Sequence, residues 1–446
     1  MIDSFLWEIV RYTRGQGVEA GEKRTFPHFQ NANPALIKQQ SLDFVFIRDL
    51  ENPKAAADWW KLLKYGGHLV VIGQDCSAHL DHYMQKRMDA VNVATTFQVY
   101  ERQQSGKSGF RITPKHAKTC AVVRLGAFGD GIQASTILPA LKAEGYHITF
   151  YAHPSSYEVL KHDPHIDEFY VQDPGQVPGA FLWEFWDHEK AKYDRWINLS
   201  ESVEATLLPN HERQVFHWAH EARHRVCNHN YLEITHELAG VPLPIRQAFY
   251  PSEAERAWAK KQREKIGPCI VYSMAGSGIN KVWPYMDALI ARVMLASKTF
   301  KVILAGDAET RDALAGPWAN EPRVLIKAGE WSIREAMAFC EQADMVIGPE
   351  TGLLNACGTM DVPKVVFLSH SSEENLTKHW RNTAALSAKV SCYPCHKLIY
   401  NWHECNKDSQ TGLAACQAGI SVEQAWNAMD EQFKKARERL SQRAAA

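Results

Sequence analysis

The sequence predicts an α/β fold, with two Rossmann-like parallel-sheet halves facing one cleft and a smaller α/β region in front of them. Three observations carry this. Arg124-Leu125-Gly126-Ala127-Phe128-Gly129-Asp130-Gly131 lies between a short apolar run, Cys120 to Val123, and a helix-like stretch, Ile132 to Leu141. Gly348-Pro349-Glu350-Thr351-Gly352 repeats the strand-turn-helix theme far downstream. Strand-length apolar runs also alternate with helical segments through both halves, which implies right-handed crossovers and parallel sheets covered on both faces. A glycine-rich turn lets a ligand approach the backbone, and the helix start behind it offers free N–H groups.

The first region spans residues 1–112. Leu42 to Ile47 is an expected strand. Pro53 to Leu63 is an expected helix with Ala56, Trp59, Trp60 and Leu63 on one face. Gly66-Gly67 should end it, and His68 to Ile72 should be the next strand. Gln103 to Thr113 is polar and glycine-containing, and reads as a linker. The second region, 118–242, gives strands at Cys120–Arg124, His147–Ala152, Phe169–Gln172 and Arg195–Leu199, and helices at Ile132–Glu144 and Ser155–Lys161. Pro242, Pro244 and Pro251 mark a boundary. The third region, 250–446, gives strands at Cys269–Ser273, Lys301–Ala305, Arg323–Ile326, Met345–Gly348 and Lys364–Leu368. Its helices fall at Tyr285–Ala296, Thr310–Ala315, Ile333–Glu341, Leu353–Thr359 and Val422–Leu440.

A chain of 446 residues has room for two or three domains. Its 45% hydrophobic and 23% charged residues are ordinary for a globular protein. A net charge of −1 gives no global field for nucleic acid or anionic lipid, so charge does not support a nucleic-acid partner. No apolar run approaches the ~20 residues of a membrane helix. Met1 to Arg14 carries acids and lacks the apolar segment of a secretory signal. The expectation is a soluble, cytoplasmic protein without a transmembrane segment. Nothing in the sequence speaks to oligomeric state.

Asp130 at the helix mouth is an unusual residue for a phosphate cradle and a suitable one for a general base; helix capping is the plain alternative. Of ten cysteines, six are scattered and read as reduced core residues. The other four follow Cys392-x2-Cys395-x9-Cys405-x10-Cys416. Four thiolates suit a tetrahedral structural site for zinc or iron. The second pair lacks Cys-x-x-Cys spacing, so a metal-free set stays open. The aromatic run Phe181, Trp183, Phe185 and Trp186 reads as loop packing.

Four blocks in order carry a family resemblance: Arg124 to Asp130, Gly276-Ser277-Gly278-Ile279-Asn280-Lys281-Val282-Trp283-Pro284, Leu304-Ala305-Gly306-Asp307-Ala308-Glu309-Thr310, and Ile347 to Gly352. Residues 118–435 resemble heptosyltransferase-type glycosyltransferases, inverting enzymes of GT-B architecture that use ADP-heptose. The resemblance implies a nucleotide-sugar donor, no cofactor for catalysis, and an acceptor hydroxyl on a glycan, a lipopolysaccharide core, a protein or a modified base. It makes Asp130 the general base and sets Lys281 and Ser277 on the donor phosphates. Gly129, Thr351 and Gly352 belong to the turns that cradle the donor. Asp307 or Glu309 would hold the ribose, and Glu350 the sugar hydroxyls. Some protein-directed relatives hold iron in a cysteine finger.

Two departures stand out. Glu350 replaces the usual aspartate, which bears on sugar identity. Asn355 replaces a common histidine, and an amide does not titrate as an imidazole does. The first region, through Leu42 to Phe46 and Trp60 to Val71, resembles the latter half of a class I methyltransferase without a Gly-x-Gly-x-Gly cofactor turn. It is expected to be a degenerate domain for interaction or acceptor presentation. The expected activity is therefore glycosyl transfer. The alternatives are a non-catalytic nucleotide-sugar-binding module and an S-adenosylmethionine-dependent methyltransferase.

Overall fold

The computed structural model describes residues 6–20, 30–31, 36–48, 55–73, 75–76, 80, 84–92, 95–102, 118–200, 207–244, 248–276 and 278–445. The expected linker Gln103 to Thr113 and the candidate Ser277 lie outside them. Three sheets form. The first contains β1 (Gly17–Ala20), β2 (Gln30–Asn31), β3 (Leu42–Arg48), β4 (Leu63–Gly73), β5 (Met84–Asn92) and β6 (Thr95–Arg102), in the order β2-β1-β3-β4-β6-β5. The second contains β7 (Lys118–Arg124), β8 (Tyr146–Ala152), β9 (Glu168–Val171) and β10 (Arg195–Asn198), in the order β10-β7-β8-β9. The third contains β11 (Cys269–Ser273), β12 (Lys301–Ala305), β13 (Val324–Ile326), β14 (Met345–Pro349), β15 (Lys364–Phe367) and β16 (Thr383–Leu386), in the order β13-β12-β11-β14-β15-β16. The chain divides into two compact units. One is Met1–Ala121 with Thr149–Pro154 and Asp167–Trp196; the other is Val122–Ile148, Ser155–Ile166 and Ile197–Ala446.

In the first unit, β1 to β4 run parallel, and β6 and β5 add an antiparallel pair. Two apolar faces explain the strand sequences. Val45, Ile47, Leu69 and Val71 pack with Trp59 and Leu62 on one side. Phe44, Phe46, Val70 and Ile72 pack with Ile9, Phe97 and Val99 on the other. A sheet buried on both faces needs near-continuous apolar runs.

The helix expected over Pro53 to Leu63 is shorter. After α1 (Leu6–Tyr12), α2 spans only Ala56–Trp59, and a 3₁₀ turn covers Trp60–Leu62. Gly66-Gly67 does not break a helix, because β4 has already begun at Leu63. The glycine pair sits in a bulge, where β3–β4 pairing jumps from Leu42↔Leu63 to Phe44↔His68. A Cβ on Gly67 would lie 2.8 Å from the Asp43 carbonyl oxygen, so a side chain does not fit there.

Helix α1 is held by charge. His188 Nε2 lies 2.9 Å from Glu8 Oε1, and the Lys192 ammonium bridges Glu8 and Glu189. Arg11 pairs with Glu189 and donates to the Tyr151 hydroxyl at 3.2 Å. Glu8, His188 and Glu189 bring three metal-capable atoms within 4.8 Å of one another. Lys192 and Arg11 already neutralise both carboxylates, so this is an ion-pair network.

In the second unit, α3 (Phe128–Ser135) and α4 (Leu138–Ala143) replace the single helix expected over Ile132 to Glu144. Pro139 has no N–H to give the Ser135 carbonyl, so the helical ladder stops there. The other helices across the chain are α5 (Pro154–Leu160), α6 (Leu182–Lys190), α7 (His220–Cys227), α8 (Tyr231–Ala239), α9 (Glu253–Ile266), α10 (Met286–Ala296), α11 (Ala308–Leu314), α12 (Ile333–Cys340), α13 (Gly352–Cys357), α14 (Ala415–Ala418) and α15 (Val422–Ala445). The third sheet is parallel throughout. Its strands start and end within two residues of expectation, except that edge strand β16, short and half-buried, carries no clear pattern. Trp283 fixes α15 to the sheet core, its indole N–H donating to the Ile420 carbonyl at 2.9 Å. The six scattered cysteines are buried and form no disulfide. Among the described residues no helix is long and apolar enough to cross a membrane.

Candidate active site

The first glycine turn leaves β7 at Arg124, whose guanidinium is buried. Its Nη1 donates to the Ser200 carbonyl at 2.8 Å and its Nη2 to Asp130 Oδ1 at 2.8 Å. The other carboxylate oxygen, Asp130 Oδ2, accepts the Ala127 N–H at 2.8 Å. Asp130 is therefore oriented at both oxygens, yet 27% of its side chain stays exposed. Gly126 is required here, since a Cβ on it would lie 2.6 Å from the Asp130 Cβ. Asp130 both caps α3 and faces solvent, so capping and chemistry are compatible roles.

The second turn leaves β14 at Glu350. This carboxylate is 3% exposed. Its Oε1 accepts the N–H groups of Ser369 at 2.8 Å and His370 at 2.7 Å, and the Ser369 hydroxyl. Burial by itself raises the Glu350 pKa, but the neighbouring His370, Lys281 and these hydrogen bonds outweigh it and hold it below the ordinary value. Burial pushes the His370 imidazole down to about 4, against the pull of Glu350, so it is neutral near pH 7. Thr351 caps α13, its Oγ1 accepting the Leu354 N–H at 3.4 Å and lying 2.9 Å from Ser273 Oγ. Helix α13 itself has six residues.

Lys281 ends a short 3₁₀ turn, Ile279–Lys281, and folds back over Gly276, where a Cβ would meet its Cδ at 2.7 Å. Burial lowers the Lys281 pKa, and the carboxylates of Glu350 and Asp130 pull it back up. The ammonium thus lies in the field of both turns. The turns themselves abut through α3 and α13. A Cβ on Gly129 would lie 2.4 Å from Asn355 Nδ2, and one on Gly352 would lie 3.3 Å from Phe128 Cβ. Gly129 and Gly352 are accounted for by this close helix contact. Asn355 packs into the contact, with Gln133 Nε2 3.5 Å from its Oδ1.

The other candidates come from other elements. Asp307 is the N-cap of α11, accepting the Thr310 N–H at 2.7 Å, and is exposed. Glu309 is exposed on the first turn of the same helix. Cys392, Cys395, Cys405 and Cys416 line one cavity of about 150 Å³, together with Asn280 and Ser369. Burial and the neighbouring thiols push Cys395 up to about 12 and raise Cys405 and Cys416. Among the described residues no three of these sulfurs come within 4.8 Å of one another.

Sequence reasoning missed Asn280, Ser369 and Tyr231. Asn280 Nδ2 donates to Ser369 Oγ at 3.0 Å, which joins the cysteine cavity to Glu350. No sequence pattern marks that relay. Tyr231 opens α8 behind Asn230, whose side chain accepts the Leu232 N–H at 3.0 Å. The Asn cap was legible, but the destination of the tyrosine was not. Of the aromatic run, Phe185 and Trp186 are buried, while Phe181 and Trp183 are exposed.

Residues 184–401 match the sequence profile of Glycosyltransferase family 9 (heptosyltransferase). That is just under half of the chain. It includes Lys281, Glu350, Thr351, Gly352, Cys392 and Cys395, and begins after the Asp130 turn. The match supports a nucleotide-sugar glycosyltransferase. No curated protein matches the chain. Among solved structures, the glycosyl transferase family 9 protein of Veillonella parvula DSM 2008 is 16% identical, over 73% of this chain and 100% of its own, with a TM-score of 0.50. The E. coli ADP-heptose lipopolysaccharide heptosyltransferase II is 14% identical, over 72% and 100%, with a TM-score of 0.49. The iron-containing dodecameric glycosyltransferase TibC of enterotoxigenic E. coli H10407 is 13% identical, over 76% and 82%, with a TM-score of 0.46. At these identities the likeness is one of fold: an α/β fold with parallel sheets that matches GT-B glycosyltransferases.

Proposed function

We propose that the chain is an inverting glycosyltransferase that moves a heptose-like sugar from an ADP-sugar donor to an acceptor hydroxyl. The observation that carries this is the placing of the Lys281 ammonium in the field of both Asp130 and Glu350, on two turns that touch through α3 and α13. In the reaction the acceptor oxygen attacks the anomeric carbon, and its proton passes to the Asp130 carboxylate. The bond from the anomeric carbon to the diphosphate oxygen breaks, and the nucleoside diphosphate leaves. Lys281 neutralises the charge that develops on it, as a fixed cation aimed at the leaving group does. No Asp-x-Asp pair accompanies the donor turns in the sequence, which supports chemistry without a metal. Glu350 would hold sugar hydroxyls. The acceptor is a glycan, lipopolysaccharide-core or protein hydroxyl, or a modified base.

Thermal shift tests the reading. A ligand bound only to the folded state, at 100 times its Kd, adds about 2.7 kcal/mol of stability. ADP-heptose should raise the melting temperature clearly. No shift with ADP, ADP-heptose or other nucleotide sugars would remove the reading, and binding without turnover on any acceptor would favour the non-catalytic module.

We assign Cys392, Cys395, Cys405 and Cys416 to a structural zinc or iron site. Four thiols lining one cavity supply the right donor set. Metal analysis of purified protein should give about one equivalent per chain, and Cys392→Ser should lower it. Equal, near-zero metal in both proteins would exclude the site. The first unit's sheet supports a degenerate methyltransferase-like domain, since four parallel strands carry an antiparallel pair whose later strand, β6, inserts beside β4. Its role would be interaction or acceptor presentation. Buried cysteines without disulfides accord with a reducing, cytoplasmic setting.

A further inference from the structure

The cavity of about 150 Å³ lined by the four clustered cysteines also takes two side chains from the donor turns, Asn280 and Ser369. Asn280 is 3% exposed and directly precedes Lys281 on the 3₁₀ turn Ile279–Lys281. Its hydrogen bonds have a direction. Glu350, held ionised, can only accept, so Ser369 Oγ gives it the hydroxyl proton. The same Oγ therefore accepts from Asn280 Nδ2, at 3.0 Å. That amide nitrogen also lies 3.0 Å from His370 Nδ1. One side chain thus fastens the turn that carries Lys281 to the loop that holds Glu350.

The cysteine segments are fastened to the same places. Next to Cys395, the His396 N–H donates to the His370 carbonyl at 2.8 Å. Next to Cys416 on α14, Gln417 Nε2 donates to the Leu368 carbonyl at 3.2 Å. The Ile420 carbonyl, just past α14, accepts the indole N–H of Trp283, two residues beyond Lys281, at 2.9 Å. Among the described residues no three of the sulfurs lie within 4.8 Å of one another. Sulfurs on one zinc ion, at about 2.3 Å from it, lie within about 4.6 Å of each other. Holding an ion therefore draws the cysteine segments together, and the bonds just named carry that change to the Lys281 turn and the Glu350 loop. A cavity wall clamped by an ion leaves the Asn280 turn fewer arrangements, so less ordering is left for a ligand of Lys281 to supply.

We propose that Asn280 is a positioning residue through which the cysteine cavity and the donor site are coupled: a thiophilic divalent ion held by Cys392, Cys395, Cys405 and Cys416 tightens binding of the nucleoside diphosphate, and the nucleoside diphosphate tightens binding of the ion by the same factor. This rests on the reading of the chain as a nucleotide-sugar transferase and on the cysteine metal site, and adds that the ion acts on donor affinity.

Calorimetry on the full chain, with ADP as the ligand and zinc as the ion, tests it. ADP should bind the zinc-loaded chain about ten-fold more tightly than the stripped chain, and ADP should raise zinc affinity by about the same factor. In Asn280→Ala both ratios should fall to within about two-fold while zinc still binds. A ratio within about two-fold in the unaltered chain, a measurement that needs no variant, overturns the coupling. A full ratio in Asn280→Ala overturns the role of Asn280. If stripping unfolds the chain, the loaded proteins decide: Asn280→Ala should then weaken ADP about ten-fold with its zinc kept, and unchanged ADP affinity overturns the proposal. ADP binding without any zinc binding removes the metal site and the coupling and leaves the transferase reading standing. Zinc binding without any ADP binding removes the transferase reading, and the coupling with it.

Discussion

Asp130→Asn should lower sugar transfer by about 10²–10⁴-fold, the usual contribution of a positioned general base. Donor affinity should hold within about two-fold, since the donor's charge partner is Lys281 and the amide removes proton acceptance without removing bulk. The geometry sharpens the expectation. Asp130 is oriented by Arg124 Nη2 and the Ala127 N–H, both at 2.8 Å. An asparagine can still accept the Ala127 N–H through its oxygen, but its NH₂ group then faces the Arg124 guanidinium. Some stability is lost, which melting curves will report separately. The discriminating measurement is turnover at saturating donor with donor Kd measured on the same sample. Full activity in Asp130→Asn would move the base elsewhere, and loss of donor binding in step with turnover would make Asp130 a structural cap.

The largest effect on stability is expected at Arg334. This side chain is 1% exposed, with Nε on Glu255 Oε1 at 2.6 Å and Nη2 on Glu255 Oε2 at 2.8 Å. Nη2 also donates to the Tyr250 carbonyl at 2.9 Å, Nη1 to the Val159 carbonyl, and the guanidinium lies 4.8 Å from the Phe249 ring centre. It ties α5, α9 and α12 together. Arg334→Leu removes these donors, leaving Glu255 its bond from the Ser252 N–H at 2.7 Å, and should cost about 3–5 kcal/mol, the range for breaking a buried pair from one side. Burial raises the Glu255 pKa, but hydrogen bonds from Arg334 and the Ser252 N–H win and bring it from 4.5 down to about 2. A carboxylate held low in the folded state stabilises above its unfolded value, and that stability is lost as pH falls from about 4.5 towards 2. The gap in urea midpoint between the parent and Arg334→Leu should therefore be full at pH 7 and shrink below pH ~4.5. A gap that stays constant across that range would show that the pair is not what holds the three helices.

What was legible in the sequence follows from local physics. The third sheet could be read because its inner strands are buried on both faces and must be apolar along most of their length, as Cys269 to Ser273 and Met345 to Pro349 are. The Asp130 turn could be read because Gly126 admits no side chain beside the carboxylate. Edge strand β16 escaped, since a half-buried run of Thr383-Ala384-Ala385-Leu386 has neither alternation nor continuous burial. The helix through Ile132 to Glu144 was read too long because the break follows from one missing N–H at Pro139. The glycine pair at 66–67 was misread because a bulge and a helix end demand the same freedom from a side chain.

The sequence by itself determined the α/β order of elements, the two glycine turns, the cysteine spacing and the charged residues available for chemistry. These depend on neighbours along the chain, through periodicity, capping and the lack of a Cβ. Only the tertiary structure decided that Lys281 feels both Asp130 and Glu350, that Asn280 and Ser369 link Glu350 to the cysteine cavity, and that Tyr231 joins the second turn. Each of those facts includes a pair of residues more than fifty positions apart. Such pairs are chosen by which buried charges and orphaned hydrogen-bonding atoms the packed core brings together, a choice no local spacing encodes.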